Sequence, residues 1–182
     1  ADMSSLKGVE VSSFLDGKKV DVIIGGPPCQ GFSIAGKRIV DDERNKLYKG
    51  FVRMVAYFKP RAFVMENVPN ILSIGGGVVK QSILEDFQEL GYNVETKVLL
   101  ASDYGVPQNR RRAVFVGLYN GVFDFNIPTV EHKVTTEEAL SDLTEDSIAD
   151  ETPYPIAPSC DYQRLMRASS KVVWNHNITQ HS

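Results

Sequence analysis

Val20-Asp21-Val22-Ile23-Ile24-Gly25-Gly26-Pro27-Pro28-Cys29 is an apolar run that stops abruptly in two glycines and two prolines. Such a run reads as a short buried strand, Val20–Ile24, feeding a tight loop. The chain around it repeats the theme. Asn45–Lys59 carries Leu47, Phe51, Met54, Val55 and Phe58 near helical spacing, and Pro60 ends it because proline has no N–H for the ladder. Ala62–Met65 is a second strand and runs into Glu66-Asn67. Ile83, Leu84, Phe87 and Leu90 line one face of a second helix, which Gly91 stops. Val94–Leu100 and Ala113–Leu118 are two further strands. The first three strands, with helices between them, predict parallel βαβ units. The last two, joined directly, predict an antiparallel hairpin at a sheet edge. The fold class expected is α/β: part of a doubly wound, mostly parallel, Rossmann-like sheet. Ligands bind such sheets beyond the carboxyl ends of the strands, so Gly25–Gln30 and Glu66–Pro69 are expected to face one site.

After Asn120 the pattern weakens. Thr135–Leu140 has the form of a capping box opening a short helix, and Pro153, Pro155 and Pro158 break regular structure. Gly75-Gly76-Gly77 reads as a flexible loop; it does not follow a strand and is not read as a phosphate cradle.

The 182 residues are 42% hydrophobic and 24% charged, an ordinary globular composition with enough chain for a real core. No apolar run approaches the roughly 18 residues of a membrane span. The opening Ala1-Asp2-Met3-Ser4-Ser5 has no basic-then-apolar pattern and no initiator Met, which suggests a piece of a longer protein. A net charge of −3 argues against a nucleic-acid partner only on average. Residues 1–130 hold 16 basic and 14 acidic side chains, whereas residues 131–151 hold 1 and 8. The body is mildly basic, and the acidity is one segment, expected to be solvated surface. Cys29 and Cys160 lie far apart without C-x-x-C spacing, and His132, His176 and His181 form no cluster. Neither a disulfide framework nor a metal site is expected, and the default compartment is reducing.

Three constellations carry chemistry. In Gly25–Ser33 (GGPPCQGFS), two prolines fix the backbone ahead of Cys29 and Gly31 admits close approach of a ligand. A thiol needs local help to become a nucleophile, and a soft thiolate suits attack on an electron-poor ring carbon. Glu66-Asn67-Val68-Pro69 offers a carboxyl at a strand end, a helix cap or surface ion pair if it stands alone and a proton donor if it faces a ligand. Gln108-Asn109-Arg110-Arg111-Arg112 is a solvated basic turn or a set of phosphate and base contacts; alternation places Arg110 and Arg112 on one side and Arg111 on the other.

Together and in this order, GGPPCQGFS, MENV and YGVPQNRRR resemble the cytosine-5 DNA methyltransferase family over about residues 1–119. The resemblance implies that Cys29 adds to carbon 6 of the target cytosine. Glu66 would hold the ring through N3 and the exocyclic amine and protonate N3. Arg112 would contact O2, with Arg110 supporting it. Carbon 5 would then take a methyl group from S-adenosylmethionine, and loss of its proton would expel Cys29. The base would be flipped out of double-stranded DNA. The same resemblance gives Asp2, Met3, Pro28 and Leu47 to the cofactor, and Gln30, Ser33, Lys37 and Arg38 to DNA, with Lys37–Arg44 as a mobile loop. Trp174–Asn177 resembles the segment before the family's target-recognition region.

It also implies a division: residues 1–130 as the central and C-terminal half of a catalytic domain, and 131–182 as a connecting segment. The family's glycine-rich cofactor loop and its recognition region are not in the sequence, so residues 1–182 alone are expected to bind cofactor poorly and to be inactive. The setting implied is a bacterial restriction system, hence a cytoplasmic, nucleoid-associated enzyme. The alternatives are a tRNA cytosine-5 methyltransferase of the same family and an inactive member serving as a binding subunit. A redox or nucleotide-binding Rossmann domain ranks last, for want of G-x-G-x-x-G after a strand and of a second Cys near Cys29.

Overall fold

The computed structural model describes residues 5–28, 34–35, 38–39, 46–143, 151–174 and 176. It divides into two compact units. One holds Ala1–Leu100 and Arg111–Ile127, and the other holds Ala101–Arg110 and Pro128–Ser182.

In the first unit the elements are α1 (Gly8–Ser12), β1 (Val22–Gly25), β2 (Ile34–Ala35), β3 (Arg38–Ile39), α2 (Lys46–Phe58), β4 (Ala62–Asn67), α3 (Val78–Glu89), β5 (Tyr92–Leu100) and β6 (Arg111–Tyr119). The main sheet has the order β1-β4-β6-β5. β1 and β4 are parallel, with Gly25 paired to Met65, while β6 is antiparallel to both β4 and β5. Three strands therefore run one way and β6 alone runs the other. This is the expected α/β sheet with an antiparallel edge hairpin, with one refinement: β6 turns back into the sheet and separates β4 from β5. β2 and β3 form a two-residue antiparallel ladder, and neither they nor α1 has a periodicity long enough to be read from sequence.

Strand alternation divides the sheet into two unlike faces. Phe63, Met65, Ala113 and Phe115 point to one face and are fully buried. Onto it pack Phe51 and Val55 of α2 and Val79, Ile83 and Phe87 of α3, the last three at i, i+4 and i+8. Phe63 and Phe87 sit with ring centroids 4.1 Å apart, and Phe51 meets Phe63 edge-on at 6.0 Å. Each such side chain contributes about 1.5–3 kcal/mol on burial. Gly117 admits the Phe63 ring: a Cβ there would collide with it. Tyr48 of α2 donates its hydroxyl to Asp86 of α3 at 2.8 Å, and burial together with that carboxylate pushes the phenol pKa well up. On the opposite face, β1 leaves Val22 51% and Ile24 76% exposed.

The ends of the helices follow local chemistry. α2 stops at Phe58 because Lys59 takes a left-handed conformation (φ 45°) and Pro60 follows. α3 stops at Glu89, and Gly91 (φ 88°) takes the left-handed position after it, donating to Gln88 O at 2.9 Å. The Gly75–Gly77 segment, expected as a flexible loop, is a tight turn with all three glycines at positive φ, and Gly77 caps α3.

The second unit contains α4 (Thr136–Leu140), β7 (Glu151–Pro153), α5 (Asp161–Arg167) and β8 (Val172–Trp174), with β7 and β8 antiparallel. The capping box is formed: Glu138 N donates to Thr135 Oγ1 at 3.1 Å, and Thr135 N to Glu138 Oε2 at 2.8 Å. Polar groups organise the interior. Gln163 is 1% exposed; its amide nitrogen donates to Glu138 O at 2.7 Å, and its oxygen accepts from Ser159 N at 2.6 Å. The Arg167 guanidinium donates to Asp142 Oδ2 (Nε, 2.7 Å) and Ile156 O (Nη2, 2.8 Å), and stacks 3.7 Å above the Tyr154 ring. Asp142 is 2% exposed. The acidic segment is therefore not the solvated surface expected of it throughout: one carboxylate is buried against a cation, and another closes a helix cap. A charge count cannot see this, because the partner lies 25 residues away.

Candidate active site at the carboxyl ends of β1 and β4

Of the residues expected to act together, the first unit describes the side chains of Pro28, Leu47, Glu66 and Arg112. β4 carries Glu66 as its penultimate residue, on the face opposite the aromatic core. β6 pairs Val114 with Glu66, so Arg112, two residues earlier, projects to the same face. Its Nε lies 2.5 Å from Glu66 Oε1, and its Nη1 donates to the Arg111 carbonyl at 2.8 Å. The guanidinium is thus held at both ends. The two side chains keep 25% and 42% of their surface, so the pair contributes no more than about 1 kcal/mol to stability. Its consequence is orientation: a carboxylate and a guanidinium lie side by side at the edge of an open surface.

The loop after β1 runs directly past this pair. A Cβ built on Gly26 would lie 3.3 Å from Glu66 Oε2 and 3.7 Å from the Glu66 carbonyl oxygen. A side chain at this position would press on the carboxylate, which would have to give by a few tenths of an ångström. The next residue of β4, Asn67, is 5% exposed; its Nδ2 donates to the Pro27 carbonyl at 2.8 Å, and its Oδ1 accepts from Val68 N at 2.9 Å. The two motifs expected to face one site are therefore in direct contact. Asn67 and Gly26 were part of the motifs but had no role assigned. The sequence shows that Pro27 and Pro28 bring no N–H to the loop, but not which donor meets their carbonyls.

Behind the loop lies a cavity of about 370 Å³ lined by Ile23, Gly25, Pro28, Leu47, Phe51 and Met54, among others. It brings together Pro28 and Leu47, the two described residues expected to touch a cofactor. Arg110 immediately precedes β6 and belongs to the second unit, where its carbonyl accepts from Ala101 N at 2.9 Å. Arg38 pairs with Ala35 through its backbone. Asp2, Met3, Cys29, Gln30, Ser33 and Lys37 lie outside the described residues. Among the described residues there is no group of three or more His, Cys, Asp or Glu side chains placed to hold a metal ion, and no helix long and apolar enough to cross a membrane.

Residues 5–181 match the family model of the C-5 cytosine-specific DNA methylases. The chain is 46% identical over 176 residues to the Type II methyltransferase M.DdeI of Desulfomicrobium norvegicum, covering 90% of this chain and 42% of that protein. It is 35% identical to the Type II methyltransferase M.AgeI of Thalassovita gelatinovora, covering 87% of this chain and 44% of the relative. Among solved structures, a DNA modification methyltransferase encoded within an E. coli prophage superposes with a TM-score of 0.77 at 26% identity, over the whole of this chain and 58% of that one. The chain thus spans less than half the length of these two relatives. A carboxylate and an arginine paired at the strand ends, a glycine–proline turn pressed against them, and a family match over nearly every residue lead to one assignment: the chain belongs to the C-5 cytosine-specific DNA methylases.

Proposed function

We propose that this chain supplies the reacting half of an enzyme that transfers a methyl group from S-adenosylmethionine to carbon 5 of a flipped-out cytosine in double-stranded DNA. The observation that carries the proposal is the Glu66–Arg112 pair beside Gly26, because an acceptor set next to a donor complements the edge of cytosine. That edge presents an amine donor at N4 and acceptors at N3 and O2. Glu66 accepts from the amine and, as a carboxylic acid, gives its proton to N3. Arg112 donates to O2, with Arg110 in support.

The Cys29 thiolate adds to carbon 6, forming a C–S bond and moving the ring π electrons toward carbon 5 as Glu66 protonates N3. S-adenosylmethionine supplies an electrophilic methyl group when bound. Carbon 5 would take the methyl as the cofactor's methyl–sulfonium bond breaks and its sulfur keeps the pair as a thioether; a base then removes the carbon 5 proton, the carbon 5–carbon 6 double bond re-forms, Cys29 leaves as thiolate, and N3 returns its proton to Glu66. The cavity beside the loop suits the cofactor: its walls are apolar at Leu47, Phe51 and Met54 and close to backbone at Gly25 and Pro28, which fits a flat ring and a methyl-bearing sulfur. Leu47 would pack on the adenine, Pro28 would sit near the transferred methyl, and Asp2 and Met3 would complete the site. Gln30, Ser33, Lys37 and Arg38 would contact DNA.

Residues 1–130 are assigned to the catalytic domain and 131–182 to the segment leading to a recognition region. The setting proposed is bacterial restriction–modification, in the cytoplasm.

The test is trapping, with S-adenosylmethionine present, on duplex DNA of mixed sequence carrying 5-fluorocytosine, using the complete polypeptide. The fluorine cannot leave as a proton does, so the adduct persists. The unmodified protein should be trapped and C29S should not; covalent trapping of C29S would remove Cys29 from the role. Labelled methyl transfer to tRNA in preference to duplex DNA would move the activity to the RNA branch.

A further inference from the structure

We propose that Asn67 is a positioning residue that fixes where the chain leaves the Pro27–Pro28 turn toward Cys29, and so sets the nucleophile's approach relative to Glu66. The inference rests on the methyl-transfer reading above.

The argument begins with the sheet. β1 and β4 are parallel and in register up to Gly25 and Met65. Continued by two residues, that register brings Pro27 opposite Asn67. Pro27 and Pro28 have no N–H, so backbone pairing cannot extend the ladder on the β1 side. The Asn67 side chain extends it instead, donating to the Pro27 carbonyl at 2.8 Å.

The orientation of the amide is fixed by chemistry. The Pro27 carbonyl can only accept and Val68 N can only donate, so Nδ2 must face the first and Oδ1 the second. Both contacts are made in a side chain that is 5% exposed.

Glu66 and Asn67 are consecutive on β4 and point to opposite faces. The first meets the loop at Gly26 and the second holds it at Pro27. A shift of the Pro27 carbonyl away from Asn67 would release the proline-stiffened turn from its register with β4. A buried carboxylate could keep the Val68 contact but would set an oxygen against the Pro27 carbonyl, whereas the neutral acid could again donate to it.

The experiment compares unmodified protein, N67D and N67A in the complete polypeptide. It measures the rate of adduct formation on 5-fluorocytosine duplex DNA, the affinity for that DNA, and thermal unfolding. N67D should unfold cooperatively and bind DNA as the unmodified protein does, while forming adduct about 100-fold more slowly at neutral pH. The ratio of its rate to that of the unmodified protein should rise as pH falls through the titration of the introduced carboxyl. A residue that served stability alone would not give that pH dependence. The proposal is overturned if folded N67D forms adduct at the unmodified rate, if its rate is reduced by the same factor at every pH, or if both variants lose the folded state. Absence of adduct in the unmodified protein is a different result: it would remove the methyl-transfer reading, and the positioning role with it.

Discussion

Arg112 Nε and Glu66 Oε1 lie 2.5 Å apart across the β4–β6 ladder, so the carboxylate proposed to hold cytosine is oriented by a cation from the neighbouring strand. The two should separate under mutation. E66Q keeps an acceptor for the amine but has no proton to give. It should retain DNA affinity and lose about 10²–10⁴-fold in turnover, the range of a general acid. R112A should reduce affinity for DNA carrying an extruded base more than affinity for ordinary duplex. Parallel binding and single-turnover measurements decide this, and equal losses on both DNAs would remove Arg112 from the base-contacting role.

Gly26→Ala tests the packing of the loop against the carboxylate. The new Cβ would sit 3.3 Å from Glu66 Oε2, tighter than ordinary contact, and the end of a Glu side chain moves readily. Stability should change by less than about 1 kcal/mol, while turnover falls by about tenfold or more. Thermal unfolding and methyl-transfer kinetics on the same preparation check the split.

Removing Arg167 should have the opposite character. Arg167→Met leaves Asp142 charged and buried with its cation gone, which costs about 3–5 kcal/mol. Asp142→Asn with Arg167→Met should recover a large part of that loss. Denaturant unfolding monitored in the second unit, through Trp174, measures both.

Acid should loosen α4 at its start. The Glu138 pKa is lowered, first by the Thr135 backbone N–H it accepts, then by His132 and the Thr135 side chain. A folded-state pKa below the unfolded value means stabilisation that is present above the unfolded carboxylate pKa and lost as pH falls through the folded one. In E138Q the amide helicity of residues 136–140 should lose this acid dependence. Amide exchange or chemical shifts followed from neutral pH down through the carboxylate range read the difference.

Much of the first unit was legible because its signals are local. β1, α2, β4 and α3 announce themselves by apolar runs that end at glycine or proline, and Glu66, proposed to hold the base, stands at one of those ends. The insertion of β6 between β4 and β5 was not legible, because periodicity identifies strands without giving their neighbours. The second unit was largely opaque for a different reason. Its interior is built on Gln163, Asp142 and Arg167, polar residues that sequence patterning assigns to the surface, and β7, α5 and β8 are too short for a period to emerge. Asn67 fell between the two cases: its motif was noticed, but its partner is a backbone carbonyl, which has no identity in a sequence.

The position of β6 also ties the sheet to the site. Among the described residues β6 pairs with both β4 and β5, so Arg111–Tyr119 is the strand that joins them. The same strand delivers Arg112 to Glu66. One strand therefore both links β5 to β4 and orients the carboxylate. A chain that stopped before β6 would carry Glu66 without the guanidinium that orients it, and β4 and β5 without the strand that joins them.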